Sequence, residues 1–213
     1  TRVYKTMFAN REDAGRQLAE RLERYRGEDA VVLALPRGGV VVGYEIARVL
    51  HCPLDIIAVR KIGHPNNPEY AICATDEKGT LLCNEEEWKR VDKRWLTEET
   101  ERERREAARR LKVYRGDKKP TELGGKTAII TDDGIATGLT MRLAVAAVKA
   151  QAPKRIVVAV PVAPAEVVRD LSREIDELIV LLPPEEFLGA VGAHYAAFEQ
   201  VQDAEVIRLL RSL

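Results

Sequence analysis

The chain has 213 residues, its 34 Lys and Arg balance its 34 Asp and Glu, and 46% of its residues are hydrophobic. A net charge of zero argues against a bulk nucleic-acid or membrane-surface binder, and we expect neither a secretory signal nor a transmembrane segment. These features predict a cytoplasmic, single-domain protein over residues 1–213. The spacing of Cys52, Cys73 and Cys83 does not suit a metal site, which favours reduced thiols packed as small hydrophobic residues.

Hydrophobic periodicity predicts elements that alternate between helices and strands along the chain. In the first half we expect helices over 12–26 and 40–50, strands over 30–35 and 54–59, and a strand with a hairpin over 72–83 that turns at 77–79. In the second half we expect strands over 127–131, 156–162 and 178–182, and helices over 140–151, over 164–175 and from about 203. This order predicts an α/β fold, a mostly parallel sheet with helices on both faces, which binds ligands beyond the carboxyl ends of its strands.

Residues 85–125 interrupt this alternation with a predicted helical insertion. The helix over 97–115 is strongly charged and has few apolar residues, most of them toward its C-terminal end. Opposite charges four residues apart predict the ion pairs Glu98–Arg102, Glu101–Arg105 and Glu106–Arg110. We expect a solvated helix that packs through its C-terminal half, and a dimerisation arm is the alternative.

The most informative segment is 128–140, with the sequence AIITDDGIATGLT. Its apolar start is typical of a strand buried on both faces, which would present Asp132 and Asp133 at its carboxyl end. Carboxylates at that position can accept hydrogen bonds from vicinal sugar hydroxyls or help to hold Mg²⁺. The loop 134–138 can turn its amides toward an anion in front of the helix that follows. The segment predicts a diol site beside a phosphate site.

This segment resembles the signature of the phosphoribosyltransferase family, a hydrophobic strand, two acidic residues and a Thr-Gly-x-Thr loop that bind phosphoribosyl pyrophosphate (PRPP). The resemblance implies a type I phosphoribosyltransferase fold, with Mg²⁺ and PRPP as ligands. Asp132 and Asp133 would then be the catalytic pair and the metal ligands. The implied phosphate-binding residues are Gly134, Ile135, Ala136, Thr137, Gly138, Leu139 and Thr140.

A second motif, Leu35-Pro36-Arg37-Gly38-Gly39, follows the first predicted strand. Its glycines let the backbone approach a ligand closely, and the Arg37 guanidinium suits phosphate oxygens, although the motif alone is also typical of a plain turn. In the resembling family, a loop at this place holds the pyrophosphate and contains a non-proline cis peptide, here the Pro36–Arg37 bond. The resemblance therefore assigns Arg37, Gly38 and Gly39 to pyrophosphate binding.

A third motif begins with Arg60-Lys61 at the end of the second predicted strand. The segment 62–70 that follows is rich in Gly, Pro and Asn and is long enough to form a mobile cover. It resembles the Arg-Lys-x-Gly-x-x-Pro segment of adenine-type phosphoribosyltransferases, in which the cations face pyrophosphate and the loop closes over the site. Lys61 and Glu69 are candidate catalytic residues, Arg60 is a candidate pyrophosphate ligand, and His64 is expected to be an exposed loop residue.

Two features bear on the acceptor. Members of the family that act on 6-oxopurines have an Asp where this chain has Ala136, which counts against hypoxanthine or guanine and ranks adenine slightly higher. The family recognises its base with a variable hood, for which 183–202 is the candidate. Tyr195 or Phe198 could stack on a base, with backbone 191–193 reading its edge, or these aromatic residues could pack the C-terminal helix onto the sheet.

The predicted function is transfer of the 5-phosphoribosyl group from PRPP to a nitrogen nucleophile of the nucleobase type, with release of pyrophosphate. One alternative is a PRPP- or nucleotide-sensing regulator without catalysis. Another is a phosphohydrolase, although such enzymes usually space their acids as Asp-x-Asp. The expected partners are PRPP and a small-molecule acceptor, not nucleic acid or a membrane, and a homodimer is compatible with the sequence.

Overall fold

The computed structural model describes residues 8–213. Its strands, in chain order, are β1 (Ala30–Ala34), β2 (Leu54–Ile56), β3 (Val59–His64), β4 (Asn67–Asp76), β5 (Leu81–Cys83), β6 (Thr127–Thr131), β7 (Arg155–Val160) and β8 (Glu177–Val180). Its α-helices are α1 (Arg11–Arg21), α2 (Gly38–Leu50), α3 (Lys93–Arg115), α4 (Leu139–Lys149), α5 (Ala165–Leu171) and α6 (Asp203–Arg211). Short 3-10 helices span Glu23–Tyr25, Trp88–Arg90, Pro184–Glu186 and Val191–His194.

The central sheet is parallel, with five strands in the order β2-β1-β6-β7-β8. β1 and β6 are neighbours, in register from Ala30 opposite Thr127 to Ala34 opposite Thr131. Because parallel neighbours end at the same edge, the two segments that follow these strands emerge side by side. The predicted α/β fold class is confirmed.

Side chains of the central strands alternate between two covered faces. Val32 and Ile129 pack with α1 and α2 on one face, whereas Val31 and Ile130 pack with α4 and α5 on the other. This double burial explains why the strands are continuous apolar runs. None of the helices in residues 8–213 is long and apolar enough to cross a membrane.

The segment 62–70, predicted to be an irregular loop, is instead part of an antiparallel hairpin. β3 and β4 pair with irregular register around Gly63, and β5 extends them to a three-stranded sheet. A Cβ atom on Gly63 would lie 2.0 Å from the Pro68 carbonyl oxygen, so the close approach of the two strands requires glycine there. Gly63 and Pro68 therefore occupy irregular positions within a strand pair, and Pro65 and Asn66 form the turn between the strands. His64 is half-buried, and its Nδ1 accepts a hydrogen bond from the Asn66 amide at 3.1 Å.

The expectation of three reduced thiols is wrong for two of them. Cys73 in β4 lies opposite Cys83 in β5, and the two form a disulfide, whereas Cys52 is free. In the predicted hairpin, whose turn is centred on Lys78, both cysteines lie five residues from the centre of the turn, so they face each other across the two strands. Burial raises the pKa of the Cys52 thiol to about 11, which favours its protonated form.

The charged helix α3 begins four residues before its predicted start because the Asp92 side chain accepts a hydrogen bond from the Trp95 amide. It also packs at both ends rather than through its C-terminal half alone. Leu96 joins the core of the β3–β5 sheet, and Tyr114 packs with residues of α2 and α6. The insertion therefore connects the small sheet to the C-terminal helix.

Two of the three predicted ion pairs on α3 are present, Glu101–Arg105 and Glu106–Arg110. The third, Glu98–Arg102, is not formed. Glu98 pairs with Arg94 at 3.0 Å, and Arg102 pairs with Glu99 and Glu103. Spacing alone did not indicate which of several nearby carboxylates each arginine would contact.

Candidate active site

A cavity of about 370 Å³ lies beyond the carboxyl ends of β1 and β6. Of the residues assigned to the site from the sequence, those that line it are Arg37, Gly38, Arg60, Lys61, Glu69, Asp132, Asp133, Gly134, Ile135, Ala136, Thr137, Gly138 and Thr140. Gly39 and Leu139 are absent from its wall. The first packs beneath Asp132, and the second begins α4. The fold thus brings three separate sequence motifs to one cavity.

The acidic pair is held by hydrogen bonds on both residues. The Asp133 amide donates to Asp132 Oδ1 at 2.8 Å, and Arg11 Nε donates to Asp133 Oδ2 at 2.7 Å. Burial, and then the charge of Asp133, raise the pKa of the Asp132 carboxyl above its ordinary value. Arg11 was missed in the sequence analysis, because nothing near it in the sequence indicates a partner 122 positions away.

Gly38 and Gly39 leave the space that the acidic pair occupies. A Cβ atom on Gly38 would lie 2.0 Å from Asp133 Oδ2, and one on Gly39 would lie 2.9 Å from the Asp132 Cα. The two glycines therefore allow a close approach between the two loops, in addition to any approach by a ligand. The peptide bond between Pro36 and Arg37 is cis, as the family resemblance implied.

The loop before α4 presents backbone donors at the N-terminus of that helix. Gly138 caps α4 with φ of 81°, a left-handed conformation that favours glycine. The Ile135 amide donates to the Val162 carbonyl at 2.9 Å, which ties the loop to the segment after β7. The amides of residues 136–140 donate no hydrogen bond within residues 8–213. Unused amides at a helix N-terminus are suited to a phosphate group.

Two of the predicted cations are paired with carboxylates. Arg60 Nε lies 2.8 Å from Oε2 of Glu103, a buried residue of α3. Lys61 Nζ lies 3.0 Å from Glu69 Oε2, in a pair whose side chains are 46% and 91% exposed. An exposed pair of this kind contributes little to stability and separates easily, whereas the Arg60 pair is more firmly held.

The third cation, Arg37, reaches toward α6. Its Nη1 lies 3.5 Å from Oδ1 of Asp203, the first residue of that helix. The Tyr114 hydroxyl donates to the same oxygen at 2.5 Å, and Arg109 lies 3.7 Å from the other. The Tyr114 hydrogen bond, and then the charges of Arg109 and Arg37, lower the pKa of Asp203. Helices α3 and α6 thus meet beside Arg37.

The candidate hood, 183–202, packs against the acidic pair. The buried Tyr195 donates its hydroxyl to the Asp133 carbonyl at 2.6 Å, and its ring packs with those of Phe8 and Phe198. Tyr195 is thus a packing residue rather than an exposed stacking surface, but it packs with Phe8 and Phe198 and not, as the packing alternative had it, with the C-terminal helix. From the hood, Val191 contributes directly to the cavity wall.

The acidic pair fits the donor set that Mg²⁺ prefers. Within residues 8–213 no group of three or more His, Cys, Asp and Glu side chains is placed to hold a metal ion. Mg²⁺, however, is commonly bound by one or two carboxylates together with substrate phosphates and water. Asp132 and the Asp133 oxygen that Arg11 does not contact would serve as those carboxylates.

The chain is similar to a protein-family model, to proteins of Mycobacterium tuberculosis and to a solved structure. Residues 4–183 match the model of the phosphoribosyl transferase domain. Proteins from two strains of Mycobacterium tuberculosis, CDC 1551 and H37Rv, named provisionally as phosphoribosyl transferases, are each 39% identical over 206 residues. The match covers 96% of this chain but 46% of each relative, so the chain spans less than half of their length. The crystal structure of TT1426 from Thermus thermophilus is similar, with a TM-score of 0.78 and 40% identity over 96% of this chain and 98% of that one.

Proposed function

Because the chain belongs to the phosphoribosyltransferase family, we propose that it transfers the 5-phosphoribosyl group of PRPP to a nitrogen nucleophile, a nucleobase or a similar small molecule, and releases pyrophosphate. The observation that carries this proposal is the adjacency of two groups in one cavity. The carboxylates of Asp132 and Asp133 lie beside a segment, 136–140, whose amides have no partner within residues 8–213. Carboxylates accept hydrogen bonds from ribose hydroxyls, and the amides donate to the 5-phosphate.

The remaining wall suits the leaving group. Displacement of pyrophosphate from C1 of the ribose places positive charge on the sugar ring and negative charge on pyrophosphate. Arg37, Arg60 and Lys61 lie on the cavity wall, where they would stabilise the leaving charge. Mg²⁺, when bound, would supply further neutralisation of the phosphate oxygens.

The hairpin of β3 and β4 supplies the remaining candidate residues. Lys61 and Glu69 form an exposed ion pair at the cavity, so either side chain can exchange its partner for substrate at little cost. In this proposal Lys61 turns to pyrophosphate, and Glu69 takes a proton from the acceptor nitrogen. Closure of the hairpin over the substrate would exclude water, whose attack would consume PRPP without transfer.

Binding and turnover test the proposal in sequence. PRPP with Mg²⁺ should raise the melting temperature, because a ligand that binds only the native state stabilises it. The double variant Asp132→Asn, Asp133→Asn should lose most of that shift, whereas Asp170→Asn, on the exposed side of α5, should keep it. Pyrophosphate release should then be measured with adenine, guanine, hypoxanthine, xanthine, uracil and orotate, and Ala136 ranks adenine slightly above hypoxanthine and guanine. An undiminished shift in the double variant would contradict the site assignment.

A PRPP- or nucleotide-sensing protein without catalysis is the second candidate. It is favoured by the pairing of all three predicted pyrophosphate-facing cations with carboxylates. Tight PRPP binding without pyrophosphate release for any acceptor tested would support the sensor. A cytoplasmic location and a homodimer remain predictions from the sequence.

A further inference from the structure

Arg11, the first residue of α1, connects the acidic pair to the hood. Its Nε donates to Asp133 Oδ2 at 2.7 Å, and its Nη1 donates to the Glu199 carbonyl at 2.8 Å. The guanidinium carbon also lies 3.8 Å from the centroid of the Phe198 ring. One side chain thus contacts a proposed ribose ligand and two consecutive hood residues.

The environment of Arg11 is unusually enclosed for an arginine. The residue is 9% exposed, and the Asp133 side chain is 17% exposed. Charged groups at this depth are retained when they are paired, and an adjacent cation offsets the repulsion between two neighbouring carboxylates. Gly38 contributes to the fit, because a Cβ atom there would lie 2.7 Å from Arg11 Nε.

The hydrogen bonds divide the carboxylate oxygens into two sets. Arg11 occupies Oδ2 of Asp133, and the Asp133 amide occupies Oδ1 of Asp132. Each carboxylate therefore keeps one oxygen without a partner among these contacts. Two such oxygens on adjacent residues match the two hydroxyls of a vicinal diol.

We propose that Arg11 is a positioning residue of the ribose site, an inference that rests on the proposed function. Arg11 fixes the Asp133 carboxylate in the orientation that accepts a ribose hydroxyl, and it links that orientation to the hood. The Tyr195 hydroxyl, bound to the Asp133 carbonyl, provides a second link on the backbone side. If the hood moves when the acceptor binds, it would therefore also move the Asp133 carboxylate that accepts the ribose hydroxyl.

Two sugar phosphates separate a positioning role from a general structural one. Titration calorimetry should compare ribose 5-phosphate with 2-deoxyribose 5-phosphate in the wild type, Arg11→Ala, Arg11→Lys and Arg16→Ala. Arg16 lies on the exposed side of the same helix and serves as the matched control. We expect the wild type to bind ribose 5-phosphate more tightly than 2-deoxyribose 5-phosphate. In Arg11→Ala the ratio of the two dissociation constants should fall about tenfold, the lower end expected for the loss of a charged hydrogen bond. Arg11→Lys should retain part of the preference, and Arg16→Ala all of it.

Phe198→Leu removes the ring beneath the guanidinium and should reduce the preference by about two- to fivefold, which provides a second test if Arg11→Ala does not fold. Equal weakening of both ligands in Arg11→Ala, or an unchanged preference in both Arg11→Ala and Phe198→Leu, would overturn the inference and leave the proposed function intact. A wild type that binds neither sugar phosphate would overturn the proposed function, and this inference with it.

Discussion

The two sides of the cavity differ in how completely they are built before a ligand arrives. On the side formed by β6 and α4, the carboxylates are oriented by hydrogen bonds, and the backbone amides of 136–140 have no partner within the described part of the chain. On the opposite side, Arg37 and Arg60 contact carboxylates of α6 and α3, and Lys61 contacts Glu69 of its own hairpin. We call the side formed by β6 and α4 the prepared side, and the side with the three cations the cationic side. A phosphoribosyl group would bind to the prepared side without rearrangement, whereas pyrophosphate would have to displace existing ion pairs on the cationic side.

The two halves of the proposed substrate would therefore bind at different free-energy cost. Backbone donors at a helix N-terminus need no rearrangement to receive a phosphate. Side-chain cations gain a new anion only by losing an old one, so their contribution is the difference between the two contacts. Four variants, in order of decreasing effect, test whether the two sides differ in this way.

Lys61→Ala should produce the largest effect, on turnover. If Lys61 leaves Glu69 and stabilises the leaving pyrophosphate in the transition state, its removal should lower kcat by about 100- to 1,000-fold, as for other donors directed at developing charge. Affinity for a nucleoside 5′-monophosphate should change little, because that ligand lacks pyrophosphate. Steady-state kinetics with the best acceptor, with monophosphate titration as the control, provide the measurement. An unchanged kcat would remove Lys61 from the reaction.

Arg37→Ala should selectively weaken the ligands that carry pyrophosphate. Loss of a charge-assisted contact to phosphate should cost about 1.5–3 kcal/mol for PRPP and for pyrophosphate. A nucleoside 5′-monophosphate should bind nearly as before, since it reaches only the prepared side. Calorimetric titration of the three ligands distinguishes the outcomes. Equal losses for all three would mean that Arg37 supports the fold or contacts the 5′-phosphate.

Gly38→Ala should disturb the Asp133 carboxylate on the prepared side. The new Cβ would lie 2.0 Å from Asp133 Oδ2, so the carboxylate or the loop must move, at a cost of about 1–3 kcal/mol of stability. The PRPP-dependent rise in melting temperature should be lost as well. Gly124→Ala is the matched control, because a Cβ there meets no atom within 4 Å and should change stability by less than about 0.5 kcal/mol. Urea denaturation of both variants measures the contrast.

Asp203→Asn should have the smallest effect, and it should strengthen PRPP binding rather than weaken it. Release of Arg37 from its ion pair should tighten PRPP binding by about 1 kcal/mol or less, because the pair is partly exposed. Weaker PRPP binding in this variant would show that Asp203 orients Arg37 rather than competing for it.

The same variant makes a pH-dependent prediction for stability. Because the folded pKa of Asp203 is lowered, its stabilising contribution is present above the ordinary value of 3.8 and is lost as pH falls through the lowered value. The wild type should therefore exceed Asp203→Asn in stability at pH 7, and the difference should shrink in strong acid. Urea denaturation at several pH values measures this trend.

The prepared side is also the part of the site that could be predicted from the sequence. Its strand, acidic pair and phosphate loop are consecutive in 128–140, so the local pattern contains most of the information. General rules of α/β folds predicted a mostly parallel sheet, but not that β1 and β6 are neighbours, which explains why the motif at Arg37 meets the one at Asp132.

The cationic side could not be predicted in the same way. The partners of Arg37 and Arg60 lie on α6 and α3, far away in sequence, and nothing in the local pattern around either arginine indicates them. The same holds for Arg11, whose contact with Asp133 depends on the packing of α1. The hairpin at 62–70 was missed because the irregular register around Gly63 hides the alternation that marks a strand.

The contact between Gly134 and Val191 offers a route to altered acceptor choice. A Cβ on Gly134 would lie 2.5 Å from Val191 Cγ1, so the hood rests directly on the loop after the acidic pair. Val191 also forms part of the cavity wall. Shortening this one side chain to alanine would enlarge the cavity beside the proposed ribose site without altering the sequence of the loop at 136–140. A protein engineer seeking a bulkier acceptor should therefore randomise position 191 first and leave Gly134 unchanged.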